Sequence, residues 1–235
     1  MTDGLDLLGV SIHEPDVAFT DLGLAILGTY FGWRLGTTGR GTLPRAGAAV
    51  MFGLASAALW GAIFHAFFPA KTATPLGFIA WVPVALSIVV VAARLLGLSL
   101  SILAPRLPAP VRRTILAAYV VGFAAVVLLV SESFSSIVRF YGPALVLMLI
   151  AAALQAIRTR SAGWILLAAG FTISIAAALL QQAEVSIHPV YFNYNAVYHL
   201  VQGIALTLLY FGFLRAPEAS PSLYASRTDP APRPG

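Results

Sequence analysis

The stretch FNYNAVYHLVQGIALTLLYFGFLR, residues 192–215, is an apolar run that ends in an arginine. It is long enough to cross a membrane, because a spanning helix needs about 20 mostly apolar residues. Its first half nevertheless carries three strongly polar side chains, Asn195, His199 and Gln202. Their spacing of i, i+4 and i+7 places them on one face of a helix. Such side chains are costly against lipid, so we expect this face to point into a helix bundle.

The composition is that of an integral membrane protein. Of the 235 residues, 59% are hydrophobic and only 10% are charged, which leaves too little polar surface for a soluble domain. The chain has no cysteine, which excludes disulfides, thiolate nucleophiles and cysteine-ligated zinc. The net charge of +5 comes from basic residues in short loops between apolar runs. Charge in such loops sets membrane topology and does not indicate a nucleic-acid partner.

Six further apolar runs precede the last one, which predicts an all-α fold, a polytopic bundle of seven transmembrane helices. Basic residues concentrate in the loops after the first, third and fifth spans and in the tail. The positive-inside rule therefore predicts that the N-terminus lies outside and the C-terminus inside. The domains are an acidic N-terminal segment (1–16), the bundle (17–215) and a cytoplasmic Pro/Ser-rich tail (216–235) whose composition favours disorder. The predicted spans cover residues 17–35, 46–68, 76–98, 113–130, 137–157, 162–180 and 193–214.

The abundance of alanine and arginine, with one lysine and no cysteine, favours the inner (plasma) membrane of a bacterial cell. We therefore expect the lipid of that membrane to surround the helix bundle and to be its main partner.

Ionisable and amide side chains gather at one end of the predicted bundle. Odd spans run inward and even spans outward, which puts all of these groups except Arg94 in the outer half of the bilayer. Arg94 can reach the inner face along its own side chain. Because each such group needs a partner, a wet cavity or a function, we expect one shared polar pocket. Its candidate residues are Asp21, His65, Glu132, Gln181, Gln182, Glu184, Asn195, His199 and Gln202.

Each of these residues also has a purely structural interpretation. His65 could hydrogen-bond a neighbouring helix, Asp21 could complement a helix dipole, and Gln202 could join two helices. Glu132 and Glu184 could be solvated at span ends. The set as a whole favours a function, since aspartate and histidine at one depth are metal-ligand types.

The segment LWGAIFHAFFP, residues 59–69, resembles the second-span motif of the alkaline ceramidase and progestin/adipoQ receptor superfamily, often called CREST. Its members are seven-span proteins with a serine four positions before a histidine and a His-x-x-x-His pair opening the last span. His65 and His199 match two of the three histidines that hold zinc in that superfamily. Gly61 stands in place of the serine and Asn195 in place of the first histidine of the pair. No aspartate follows His65 at the expected distance.

The resemblance implies a metal-dependent membrane hydrolase that acts on a lipid amide or ester. His65 and His199 would bind zinc, with Asp21 as the third ligand. The metal would lower the pKa of its bound water and polarise the substrate carbonyl. Asn195 would stabilise an oxyanion, and Glu184 or Glu132 would act as the base.

The departures from the motif favour a second hypothesis, a non-enzymatic bundle whose pocket holds a small molecule, a lipid headgroup or a structural hydrogen-bond network. In it His199 would hydrogen-bond Asp21 or His65 directly, and Asn195 and Gln202 would extend the network. Gln181 and Glu132 would also line the pocket, and a pocket histidine could act as a pH switch. A microbial rhodopsin is excluded, because its Schiff-base lysine must lie in the last span and the only lysine here, Lys71, lies in a loop. A channel or secondary transporter stays open, although the sequence shows no pair of broken helices in corresponding positions.

Overall fold

The computed structural model of the chain describes residues 5–7, 9–188 and 191–219, which are predominantly helical. Within these residues a short antiparallel hairpin, β1 (Leu5–Leu7) and β2 (Val10–Ile12), precedes seven α-helices. A 3-10 turn (Lys71–Ala73) lies before α3, and α4 continues into a π-helical turn (Val126–Val130). The α-helices are α1 (Pro15–Thr38), α2 (Thr42–Phe67), α3 (Pro75–Leu103), α4 (Ala109–Ala125), α5 (Phe134–Thr159), α6 (Ala162–Gln182) and α7 (Tyr194–Arg215).

Local sequence signals set where several helices begin. Pro15 and Pro75 occupy the first turns of α1 and α3, where the missing N–H costs no helical hydrogen bond. The side chains of Thr74, Ser133 and Asn193 cap α3, α5 and α7 by accepting hydrogen bonds from backbone N–H groups of the first turn. Each cap satisfies donors that the helix itself leaves unpaired.

Six helices of the described chain, α2 to α7 with α4 extended to Val130, are long and apolar enough to cross a membrane. The protein therefore belongs to the integral membrane class, as the composition predicts. α1 is the exception among the seven. It is 24 residues long, but polar side chains such as Asp21 and Arg34 lower its hydropathy.

Six helices form a closed ring. Around the ring α1 packs on α2, α2 on α3, α3 on α5, α5 on α6, α6 on α7, and α7 returns to α1. α4 lies outside this ring and packs mainly on α3. Its π-helical end exposes Leu129 and Val130, as expected of side chains that face lipid. The centre of the ring is therefore bounded by all helices except α4.

Two glycines bring α6 and α7 close together. A Cβ added to Gly170 would lie 2.7 Å from the Cγ of Leu209, and one added to Gly212 would lie 2.7 Å from the Cγ of Leu167. Lipid supplies no hydrophobic drive for helix association, so small residues that permit close van der Waals contact stabilise such pairs. This contact fixes the polar face of α7 against α6.

The helices extend beyond the apolar runs that predicted them. α1, for example, covers residues 15–38, whereas the predicted span covered 17–35. A hydropathy run ends where the hydrocarbon ends, while backbone hydrogen bonding continues the helix. The segment before α1 also has structure of its own, because it contains the β-hairpin and the backbone N–H of His13 donates to the carbonyl of Ala66 at 3.1 Å. The fold is thus helical with one small hairpin, rather than strictly all-α.

The first residues of the tail cap another helix. The N–H groups of Thr42 and Leu43, at the start of α2, donate to Oε1 of Glu218 at 2.6 and 3.2 Å. The Thr42 hydroxyl donates to Oε2 at 2.6 Å, and this bond, with the two backbone bonds, holds the pKa of Glu218 below its ordinary value. The predicted disorder of residues 220–235 lies outside the described residues.

Candidate functional site

A cavity of about 360 Å³ opens inside the ring. It lies at the end where α1, α3, α5 and α7 begin and where α2 and α6 end. Ligand pockets in proteins typically measure about 300–1,000 Å³, so this cavity is of a size that holds a small molecule. Its polar lining consists of Glu14, Asp21, His65, Lys71, Thr72, Glu132, Gln181, Tyr194, Asn195, Tyr198, His199 and Gln202.

The lining changes from polar to apolar with depth. On α7 it runs from Asn195 at the mouth to Leu206, a distance of about 16 Å at about 1.5 Å per residue. α2 runs the opposite way, so His65 lies near the mouth and Leu54 deepest. The cavity therefore has a charged mouth and an apolar floor. The floor consists of Leu24, Leu54, Val84, Ile88 and Leu206.

A buried imidazole–carboxylate pair lies between α1 and α7, and we call it the inner pair. The Nε2 atom of His199 lies 3.2 Å from Oδ1 of Asp21, and both residues are buried. The Nδ1 atom lies 2.9 Å from the hydroxyl oxygen of Thr20. That hydroxyl also contacts the backbone carbonyls of Asp16 and Val17 at 2.8 and 3.0 Å, so its single proton can go to either carbonyl or to Nδ1. In each case a proton lies between Nε2 and Oδ1, because without it two lone pairs would face each other.

Gly61 provides the space for this pair. A Cβ added to Gly61 would lie 2.6 Å from Oδ2 of Asp21, which is closer than van der Waals contact allows. A side chain at this position would press against the Asp21 carboxylate, so the absence of a Cβ at Gly61 leaves room for the inner pair.

A second cluster lies at the mouth, and we call it the mouth cluster. Nδ1 of His65 hydrogen-bonds Oε2 of Glu14, and the Lys71 ammonium donates to the same oxygen at 2.5 Å. Burial acts to raise the pKa of Glu14, but the hydrogen bond from His65 and the contact with Lys71 outweigh it and lower the pKa from 4.5 to about 2. Glu14 is thus a carboxylate at neutral pH, and its charge is balanced by Lys71.

Amide side chains link three helices beside the cavity. The Ser135 hydroxyl donates to Oε1 of Gln182, Nε2 of Gln182 donates to Oε1 of Gln181, and Nε2 of Gln181 donates to Oδ1 of Asn195 at 3.1 Å. This chain runs from α5 through α6 to α7. It satisfies the carbonyl of Asn195, so the side chain is positioned by its neighbours.

The structure brings most of the predicted site residues together. Asp21, His65, Glu132, Gln181, Asn195, His199 and Gln202 all line the cavity. Glu184 does not, because it lies beyond the end of α6, exposed and with a left-handed backbone (φ 54°). Its role as a base stays a prediction without support from this placement.

The metal-ligand set does not assemble in the described part of the chain. No group of three or more His, Cys, Asp and Glu side chains is placed there to share a metal. His199 and Asp21 bond each other, while His65 bonds Glu14. These donors do not fit a zinc centre as they stand, and zinc binding stays a prediction.

Sequence reasoning missed several residues of the site. Ser174, which accepts from Nε2 of Gln202 at 3.1 Å, precedes Gln181 by seven residues, so helical periodicity would have placed both on one face of α6. Lys71 is the only lysine of the chain, and its isolation was the available signal. Glu14 and Thr20 carried no comparable signal, because their contacts depend on how the hairpin and α1 meet α2 and α7.

These features define a polytopic helical membrane protein with a polar-mouthed cavity inside the bundle. The chain belongs to a family of unknown function, DUF6962, whose sequence model matches residues 17–217. The match spans nearly all of the seven helices. No curated protein and no solved structure matches the chain.

Proposed function

We propose that this protein binds a small single-chain amphiphile in the cavity, with the apolar chain on the floor and the polar head at the mouth. The observation that carries this proposal is the change from a charged mouth to an apolar floor within one space. The volume of about 360 Å³ lies at the small end of the range for ligand pockets. One short chain with a compact head suits that volume, whereas a two-chain lipid does not.

The proposal includes the placement in the membrane, with all seven helices spanning, the N-terminus outside and the C-terminus inside. α1 supports it by lying in the ring between α2 and α7. Its outer face exposes a stripe of large apolar side chains, Phe19, Leu22, Ile26, Tyr30 and Trp33, while Asp21 faces inward. The arginine-rich loops at the opposite end support this orientation, and the composition supports a bacterial plasma membrane.

The binding proposal is tested with eight-carbon probes on purified protein in phosphatidylcholine nanodiscs. Octanol, octanoate and octylammonium are added separately and the thermal unfolding is recorded. A ligand at 100 times its Kd stabilises the folded state by about 2.7 kcal/mol, so at least one probe should raise the unfolding temperature.

A matched pair of variants locates the binding. Leu54→Trp fills the floor of the cavity and should abolish the stabilisation. Leu59→Trp places the same side chain on the exposed face of α2 and should leave the stabilisation intact. The proposal fails if no probe stabilises the wild type, or if both variants respond alike.

A metal-assisted hydrolase of a lipid amide or ester is the second candidate. The resemblance to the CREST motif supports it, as does the presence of Asp21, His65 and His199 in the lining of one cavity. Metal content measured on wild type, His65→Ala and His199→Ala distinguishes it from simple binding. About one zinc per wild-type chain, lost in both variants, would establish the metal centre. Wild-type protein without stoichiometric zinc after zinc supplementation would exclude it.

A further inference from the structure

Two side-chain oxygens in the cavity lining receive no hydrogen bond from the described chain. They belong to Asp21 on α1 and Gln202 on α7, which are buried with 4% and 6% of their surface exposed. Asp21 uses Oδ1 to contact His199, and Gln202 uses Nε2 to donate to a serine hydroxyl on α6. No described residue donates to Oδ2 of Asp21 or to Oε1 of Gln202. Neither oxygen is among the enclosed, unpaired side-chain atoms of the described chain, and both residues line the cavity, so a molecule inside it can reach both oxygens.

Both oxygens can only accept a hydrogen bond. The oxygen of a side-chain amide carries lone pairs and no proton. In the inner pair a proton lies between Nε2 of His199 and Oδ1 of Asp21, and whichever of these two atoms holds it, Oδ2 keeps only lone pairs. Buried polar atoms in proteins are almost always hydrogen-bonded, to protein or to water. A ligand head that displaces water from these two oxygens must therefore donate hydrogen bonds in its place.

The two acceptors lie where the polar part of the lining meets the apolar floor. Leu24 follows Asp21 by three residues on α1, and it belongs to the floor. Leu206 follows Gln202 by four residues on α7 and belongs to the floor as well. Each acceptor is thus one helical turn nearer the mouth than a floor residue of its own helix. An amphiphile whose chain occupies the floor therefore has its head beside both acceptors.

The charges of the lining favour a cationic head. Glu14, Asp21 and Glu132 supply three acidic side chains, and no arginine belongs to the described lining. The only lysine, Lys71, already contacts Glu14, whereas Glu132 has no ion pair within the described chain. A protonated amine combines a positive charge with several N–H donors, so it suits both the charge of the lining and its two free acceptors. A carboxylate head suits neither.

We propose that the cavity recognises an alkylammonium head, such as that of a primary amine, whose N–H groups donate to Oδ2 of Asp21 and Oε1 of Gln202. This inference rests on the proposed function and names the ligand class for the same site. Hydrogen bonds from an ammonium to a carboxylate are charge-assisted and stronger than those between neutral groups. Asp21 therefore distinguishes an amine from an alcohol, and Gln202 adds a second acceptor one turn deeper on α7 than His199.

Three eight-carbon probes test the chemistry of the head. Octylammonium, octanol and octyltrimethylammonium are each titrated against wild-type protein in phosphatidylcholine nanodiscs, with Leu54→Trp as the reference for partitioning into the bilayer. Octylammonium should bind at least about tenfold more tightly than octanol, because its hydrogen bonds are charge-assisted. Octyltrimethylammonium carries the charge without an N–H group, so it should also bind at least about tenfold more weakly than octylammonium.

Matched substitutions test the two acceptors. Asp21→Asn keeps the size of the side chain but removes its charge, so it should weaken binding of octylammonium about tenfold and change that of octanol less than about threefold. Asp16→Asn makes the same substitution on the same helix outside the cavity lining, and it should change either affinity by no more than about twofold. Gln202→Met removes the amide acceptor at similar size and should weaken binding of octylammonium about threefold. If Asp21→Asn does not fold, the order of the three probes on the wild type still decides whether the head must carry charge and N–H groups.

The failures are distinguishable. Octanol or octanoate binding as tightly as octylammonium would overturn the amine head while leaving the binding cavity intact. Equal affinity for octyltrimethylammonium and octylammonium would overturn N–H donation. Equal losses in Asp21→Asn and Asp16→Asn would overturn the role of Asp21. Absence of binding by every eight-carbon probe would overturn both this inference and the proposed function.

Discussion

The two histidines of the cavity have the same kind of partner in different surroundings. In the inner pair His199 contacts Asp21, and their side chains are only 9% and 6% exposed. In the mouth cluster His65 contacts Glu14, with 19% and 25% exposure, and Lys71 adds a third charge. An imidazole and a carboxylate are thus enclosed by protein in one place and reached by solvent in the other.

This difference predicts different roles. Removing one partner of a buried pair leaves the other without solvation, which is strongly destabilising. Pairs that water can reach contribute little to stability, typically below about 1 kcal/mol. The inner pair should therefore hold α7 against α1 and close the ring. The mouth cluster should instead be free to rearrange when a ligand enters.

The largest effect is expected from Asp21→Ala. This variant leaves Nε2 of His199 without its partner in a buried site and should lower the free energy of unfolding by about 3 kcal/mol. Asp21→Asn keeps a hydrogen-bonding oxygen, so it should lower the free energy of unfolding clearly less than Asp21→Ala does. Unfolding in mixtures of dodecyl sulfate and dodecyl maltoside measures both. A loss below about 1 kcal/mol for Asp21→Ala would mean that the inner pair resembles the mouth cluster.

A smaller effect is expected from Gly61→Ala, which pushes a methyl group against the Asp21 carboxylate. Overpacking of this kind costs about 2 kcal/mol. Gly23→Ala is the matched control, since Gly23 is an exposed residue of α1 and a Cβ added there meets no atom within 4 Å. Alanine also favours a helix over glycine, so the control should be neutral or slightly stabilising.

A double-mutant cycle sharpens the Gly61 prediction. In an Asp21→Ala background the added methyl group has no carboxylate to meet. Gly61→Ala should therefore change the free energy of unfolding little in that background. Equal costs in the two backgrounds would show that the methyl group acts elsewhere.

The smallest effect is expected at the mouth and depends on pH. The folded state lowers the pKa of Glu14 from 4.5 to about 2, so the stabilising contribution is present above pH 4.5 and is lost as the pH falls toward 2. Glu14→Gln should remove this acid-dependent part, worth about 1 kcal/mol. The free energy of unfolding, recorded from pH 6 to pH 3, should therefore fall more steeply in the wild type than in Glu14→Gln. Parallel curves for the two proteins would contradict the ion contacts of Glu14.

The sequence predicted the helices better than it predicted the contacts of the site. Hydropathy runs located every helix, and the i, i+4, i+7 spacing placed Asn195, His199 and Gln202 on one face of α7, because the rise and turn of a helix are fixed by its backbone. Neither signal reports on loops. The placement of Glu184 follows from a left-handed turn after α6, which periodicity does not encode.

The sequence left the pairing of residues across helices open. The types and depths of Asp21, His65 and His199 fitted either a shared metal or a direct hydrogen bond from His199 to Asp21 or His65, and the structure has the contact with Asp21. Which atoms meet depends on how far each helix is rotated about its own axis, and the missing Cβ at Gly61 leaves room for the Asp21 carboxylate. Glu14 reaches His65 only because the segment before α1 packs against the end of α2.

Native mass spectrometry of protein released directly from its own membrane tests the central claim, that the cavity holds a single-chain amphiphile. Wild type and Leu59→Trp should each carry one small bound molecule that fragments to a single alkyl or acyl chain, and Leu54→Trp should carry none. Equal occupancy in all three proteins, or no bound small molecule in the wild type, would contradict the proposal that the cavity holds such an amphiphile.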